Sequence, residues 1–219
     1  MDCTFYRFLD VSSQSFHCYT TVIKPLYVIM VERSGLLMQS VRYKSRECLD
    51  QEKIENFLKQ TRIGYLGLAD GNLPYVVPLN YVWAEGTLYF HGASNGRRND
   101  IMSENAEVCF TVCQEFGTIT DPVPAKTDTA YMSVMIFGKA EPITDLDEAT
   151  FMLQELINKY VPGYYNRPLS KQHVDKYRSA VFGGPVKVYR VIPSQITAKE
   201  SGIEEDKMYD KVMSDKTNL

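Results

Sequence analysis

Two breaks in the middle of this chain are too short to be anything but hairpin turns. Asp70-Gly71-Asn72 separates a run over 63–69 from a run over 73–84, and Glu85-Gly86 separates the latter from a run over 87–92. Each run is rich in Val, Tyr, Leu and Phe, and Gly or Asn in the breaks supplies the backbone freedom that a tight turn needs. Strands joined this closely run antiparallel, because a parallel crossover needs a dozen or more residues. Pro74 and Pro78 fall inside the second run and mark it as an edge strand or a bulged one.

The rest of the chain fits the same plan. Asp50 is a candidate N-cap, and Ile54, Phe57 and Leu58 then follow at helical spacing over 51–60. Further strands are expected at 107–113, 131–140 and 186–192, with 114–128 as loop. Short helices are expected at 97–104, from Asp145 to the Pro162-Gly163 stop, and at 170–179. No βαβ unit and no internal repeat is present. The pattern predicts a mainly β (α+β) domain, an antiparallel barrel with a few peripheral helices. Residues 1–40 show no clear period and read as an N-terminal extension, with the domain over 41–200 and a polar tail over 201–219 expected to fray.

Charge and cysteine usage narrow the setting. With 24 Lys and Arg against 27 Asp and Glu, the net charge of −3 argues against broad nucleic-acid binding. The apolar run 25–31 is far short of the ~20 residues of a membrane span, and no cleavable leader pattern accompanies it. The five cysteines show no CxxC. Cys109 and Cys113 lie on one face of a strand roughly 13 Å apart, too far for a disulfide. A reducing cytoplasmic setting follows, with the thiols read as buried apolar groups.

Chemistry concentrates where the third strand enters a helix. Leu88-Tyr89-Phe90-His91-Gly92-Ala93 runs into Ser94-Asn95-Gly96-Arg97-Arg98-Asn99-Asp100. Ser94 or Asn95 is expected to cap the helix, whose free N–H groups and dipole favour an anion. Gly92 and Gly96 allow backbone to approach a ligand, and Arg97 and Arg98 add two charges. The group reads as a phosphate cradle, against the plainer alternative of a solvated arginine pair beside a loop.

In this order, Tyr75-Val76-Val77-Pro78-Leu79-Asn80-Tyr81, Leu88-Tyr89-Phe90-His91-Gly92-Ala93, Gly96-Arg97-Arg98, Tyr131-Met132-Ser133-Val134 and Phe137-Gly138-Lys139-Ala140 resemble the pyridoxamine 5'-phosphate oxidase-like FMN-binding split barrels. The branch with the nitroimidazole-resistance proteins is the most similar. The resemblance implies a split β-barrel and a homodimer with FMN at the subunit interface. It implies that Val76, Val77, Pro78, Leu79, Asn80 and Tyr81 face the ring system and ribityl chain. His91, Gly92 and Ala93 would lie beside them, Arg97 and Arg98 on the phosphate, and Ser133 and Val134 near the cofactor on a later strand. Where relatives carry Lys at the second basic position, this chain has Arg98.

His91 resembles a strand-end histidine that faces the cofactor pocket, where it could donate a proton or orient a substrate. The alternative is a histidine bonded in the barrel wall. Tyr81 and Trp83 could stack on a flavin, or belong to the core. Lys159-Tyr160 and Arg167 are candidates for a pocket mouth. The expected activity is a flavin-dependent oxidoreductase acting on a small molecule, as in nitroaromatic reduction. The competing expectation is a non-catalytic flavin- or haem-binding module. No metal site is expected from a single isolated histidine.

Overall fold

A computed structural model of the chain describes residues 40–179 and 183–209. The extension read over 1–40 lies outside the described residues apart from Ser40, as do 210–219 of the tail.

Local chemistry starts the elements as expected. The Asp50 carboxylate accepts the Lys53 N–H at 3.0 Å and opens α1 (Gln51–Gln60), which buries Ile54, Phe57 and Leu58. Asp145 accepts the N–H groups of Asp147 and Glu148 at 2.7 and 2.9 Å and opens α3 (Leu146–Tyr160). Ser170 caps the shorter α4 (Lys171–Lys176). Between β1 (Ile63–Asp70), β2 (Leu73–Ala84) and β3 (Thr87–Ala93) the turns are tight. Glu85 and Gly86 both take positive φ, 51° and 73°, the mirror-image turn whose twist matches the flanking strands. The helix α2 (Arg97–Glu104) and strands β4 (Glu107–Ile119), β5 (Asp128–Pro142) and β6 (Val186–Ser201) complete the domain.

The six strands close in the order β1-β2-β3-β6-β5-β4, every pair antiparallel. Phe90, Phe110, Leu66, Leu88, Val112, Ile136 and Val191 fill the interior. Phe90 stacks on Tyr189 at 5.2 Å, and Tyr81 meets Phe110 edge-on at 5.2 Å. The Phe110 ring occupies the space that a side chain on Gly64 would need.

Three expectations are corrected. The segment 114–128 is not all loop: β4 continues to Ile119. A bulge between Glu115 and Gly117 shifts its register on β5, and Gln114, Glu115 and Phe116 are exposed there, so apolar alternation is lost while the ladder persists. The last strand does not stop at Ile192 but runs to Ser201. Its pairing on β5 slips where Pro193 faces Gly138 and Gln195 faces Phe137, and Ser194 is the extra residue. The tail is not frayed as far as Tyr209, because Thr120 N–H bonds to Lys207 O and Tyr209 N–H to Thr118 O, both at 2.8 Å. Among the described residues no helix is long and apolar enough to cross a membrane.

β2 changes partner along its length. It pairs with β1 from Leu73 to Asn80, and with β3 only from Tyr81 to Ala84. β3 continues through His91, Gly92 and Ala93 with β6 alone as its neighbour. The barrel is therefore split between the first part of β2 and the last part of β3. The C-terminal turn of α3 is pinned at the fork. The fully buried Tyr81 donates its hydroxyl to Leu58 O at 2.8 Å. The Lys159 ammonium lies 3.9 Å from the Tyr81 ring centroid and donates to Leu58 O at 3.3 Å.

Burial, with the Arg62 guanidinium nearby, holds the Lys159 pKa down to about 8. A base with a lower pKa in the folded chain than in the unfolded one binds its proton less tightly when folded. The destabilisation is complete below about pH 8 and fades as pH rises toward the ordinary value of 10.5. The chain is expected to gain stability across that window relative to Lys159→Met, in which this contribution is absent. Urea midpoints measured for both proteins between about pH 7 and 10 check it; parallel pH profiles would contradict it.

Candidate functional site

The split leaves backbone groups without strand partners. Tyr81 turns its N–H and C=O toward β1, where they meet the Tyr160 hydroxyl at 3.0 and 3.2 Å. In an antiparallel strand the two polar groups of a residue share an edge, and successive residues alternate edges. The polar groups of Val76, Pro78 and Asn80 therefore point into the split. Pro74 and Pro78 fall on that same edge, where no ladder bond requires an N–H. Val76 and Asn80 each keep an N–H to offer there.

The other wall is the end of β3 and the start of α2. Gly96 precedes the helix with φ 105° and ψ 166°, a conformation open essentially to glycine alone. Neither Ser94 nor Asn95 caps α2 as expected: the N-cap position is Gly96, and it has no side chain to fold back on the helix. The first turn of α2 has no side-chain cap. Ile101 and Met102 anchor the helix in the core.

The two arginines beside this terminus have different surroundings. Arg97 is exposed, pairs with Asp70 at 3.0 Å and lies 4.7 Å over the Tyr75 ring. Arg98 is half-buried. It donates to Ala93 O at 3.2 Å and to Asn99 Oδ1 at 3.1 Å, and lies 5.7 and 5.6 Å from the Phe90 and Tyr189 rings. Asn99 donates to Ala93 O at 2.8 Å and accepts from the Tyr189 hydroxyl at 3.1 Å. Gly92 makes room for this arrangement, since a Cβ there would stand 2.5 Å from the guanidinium nitrogens. Burial pushes the Arg98 pKa down from its ordinary value and that of the Tyr189 phenol up.

His91 lies exposed on the outer face of β3, opposite the face on which Arg98 sits. The protein packed around it and the nearby Arg98 charge hold its pKa below the ordinary histidine value. A lowered pKa favours the neutral imidazole, which offers one ring nitrogen as acceptor and the other as donor.

Other sequence-selected residues divide by face. Val76, Pro78 and Asn80 are exposed on the outer side of β2, and Val77 and Leu79 are half-buried on the inner side. Tyr81 belongs to the core, with its ring buried and its backbone held by Tyr160, so it lines neither edge of the split. Trp83 is likewise buried and donates to Glu55 at 2.7 Å. Val134 is fully buried, and Ser133 faces outward between Cys113 and Lys199, across the barrel from the split. One chain does not bring these two to the cleft. Cys48 is buried and Cys109 half-buried, with burial pushing both thiols up; Cys113 is exposed, against expectation, because it lies on the outer face of β4. Sequence reasoning passed over Asn99, Asp70 and Tyr189. The Arg-Arg-Asn-Asp order held a signal for Asn99, which a helix's first turn can direct back to the preceding loop.

A family model described as pyridoxamine 5'-phosphate oxidase matches residues 50–200, more than half of the chain. No curated protein sequence matches. Among solved structures, a Bacteroides thetaiotaomicron protein provisionally assigned to 5-nitroimidazole antibiotic resistance is 27% identical. The match covers 70% of this chain and 85% of that one, with a TM-score of 0.55. The flavocytochrome Anf3 of Azotobacter vinelandii is 21% identical over 80% of this chain and 77% of its own, with a TM-score of 0.63. An FAD and heme binding protein of Mycobacterium smegmatis is 16% identical over 80% of each chain, with a TM-score of 0.59. At these identities the last two speak for the fold alone. The split between β2 and β3, the glycine-led helix that borders it and the match over 50–200 agree, and the chain belongs to the pyridoxamine 5'-phosphate oxidase family.

Proposed function

We propose that this chain binds FMN in the split and acts as an oxidoreductase on a small molecule in the cytoplasm. One observation carries the reading: an unpartnered strand edge and a doubly basic, uncapped helix N-terminus border the same split. The edge, with the N–H groups of Val76 and Asn80 and the carbonyls between them, suits the polar rim of a flat ring system. The α2 terminus with Arg97 and Arg98 suits a phosphate. Bound flavin would supply the electron-transfer chemistry. The protein's part is to hold the ring against β2, anchor the phosphate at α2 and present the His91 imidazole beside it.

A second copy of the chain completes the proposed site. Ile63, Tyr65 and Val76 are exposed on the outer faces of β1 and β2 next to the open edge, and Met135 is exposed on β5. Ser133 reaches a cleft of this kind only from a partner. The resemblance to the Bacteroides protein favours nitroaromatic reduction as the activity to test. The exposed His91 keeps a second reading in view, a binding module in which it ligates haem. A visible spectrum of the purified protein separates the two: flavin bands support the first, a Soret band the second. If chemically reduced protein is not reoxidised by a nitroaromatic or a quinone without oxygen, the oxidoreductase reading fails.

A charge-assisted bond to phosphate contributes about 1.5–3 kcal/mol. Arg97→Ala or Arg98→Ala is therefore expected to weaken FMN by roughly 10- to 100-fold and leave riboflavin nearly unchanged. Gly92→Ala, which displaces the Arg98 guanidinium, is expected to act in the same direction. Titrations followed by flavin fluorescence check all three; equal losses for FMN and riboflavin would remove the arginines from the phosphate. Sedimentation of the flavin-loaded protein is expected to give about twice 25.1 kDa, and a monomer with flavin fully bound would rule out the shared site.

A further inference from the structure

We propose that Tyr160 is a positioning residue for the flavin, acting through β2, whose change of partner its hydroxyl enforces; the inference rests on the flavin reading above. The ladder between β1 and β2 begins at Ile63 and Asn80. The next rung would pair Arg62 with Tyr81. The Tyr160 oxygen stands in its place: it accepts the Tyr81 N–H at 3.0 Å, lies 3.2 Å from Tyr81 O and donates to Arg62 O. A phenol has one proton and two lone pairs, enough to serve backbone on both strands while keeping them apart.

Tyr160 is itself held from two sides. The Arg62 guanidinium lies 4.7 Å over its ring and donates to its backbone carbonyl at 3.2 Å. The neighbouring Lys159 lies over the Tyr81 ring, so two consecutive residues of α3 grip the backbone and the side chain of one residue of β2. Asn80, the last residue with polar groups in the split, directly precedes that residue. Fixing Tyr81 on the β1 side fixes, by strand alternation, the direction in which Asn80 and Val76 present their N–H groups. Loss of the hydroxyl leaves the Tyr81 N–H and the Arg62 carbonyl without their partner. The ladder can then close by one more rung, drawing the end of β2 toward β1 and away from the cofactor.

The test compares Tyr160→Phe with the native protein and with Arg190→Gln. The latter breaks the Arg190–Glu148 pair that ties the start of α3 to β6, far from the hydroxyl. Tyr160→Phe is expected to weaken FMN and riboflavin by the same factor, about tenfold for a lost backbone hydrogen bond. It is also expected to shift the visible band of bound flavin and speed amide exchange over 76–81 in flavin-free protein. Arg190→Gln is expected to lower the melting temperature and leave flavin affinity and spectrum unchanged. Unchanged affinity and spectrum in Tyr160→Phe would overturn the proposal, as would a loss confined to FMN, which would place the effect at the phosphate. If the native protein takes up neither flavin, the functional reading falls and this one with it; if it does and Tyr160→Phe matches it in all three measurements, only the role of Tyr160 falls.

Discussion

A backbone hydrogen-bonding group buried without a partner is costly, and much of this structure follows from where β2 finds its partners. The strand is joined to β1 for its first eight residues and to β3 for its last four, so neither neighbour covers it fully. The two prolines fit this state, since their missing N–H groups fall on the edge that has no ladder. The remaining polar groups on that edge are met by solvent or by a ligand. A closed barrel of the same strands would offer no such edge. The split is thus a consequence of register, and the proposed site is made of residues that border it.

The basic side of the site rests on packing as much as on charge. Arg98 is held by a carbonyl, an amide side chain and two aromatic rings, in a space that exists because residue 92 has no Cβ. Holding the guanidinium in one place removes the rotamer entropy that a flexible cation would lose on meeting an anion. Arg97 is held more loosely, by an exposed carboxylate and the face of Tyr75, and such a pair is weak in water. In the proposed site, a phosphate would therefore meet one fixed charge and one that can exchange partners.

Much of the fold was legible in the residues. The turns at 70–72 and 85–86, the caps at Asp50 and Asp145 and the helix over 97–104 are local signals, and the structure places them where those signals stand. The strand ends beyond 113 and 192 were not legible, because a bulge or a proline breaks alternation without ending the ladder. The arginine pair and the prolines of β2 announced the neighbourhood of the site. The side chains that shape it did not. Asn99 and Tyr189 are 90 residues apart, and Tyr160 is 79 residues from the backbone it holds. Tyr160 stands in the sequence only as a candidate for a pocket mouth, and nothing local ties its hydroxyl to the backbone of β2. Tyr81 shows the reverse error, a motif residue whose alternation sends its ring inward.

The place of β6 has a consequence for how the chain is made. This strand, the last of the described strands in sequence, lies between β3 and β5 and supplies the Tyr189 ring near Arg98. Pairs such as Leu88 with Val191 close loops of about a hundred residues, the kind of non-local contact that slows folding. On the ribosome, strands β1 to β5 emerge first as an open sheet with two free edges, the form in which strands of different molecules join. The surroundings of Arg98 are then still incomplete. FMN that binds only the finished barrel would act after synthesis ends, shifting the balance toward the closed chain without guiding its early steps.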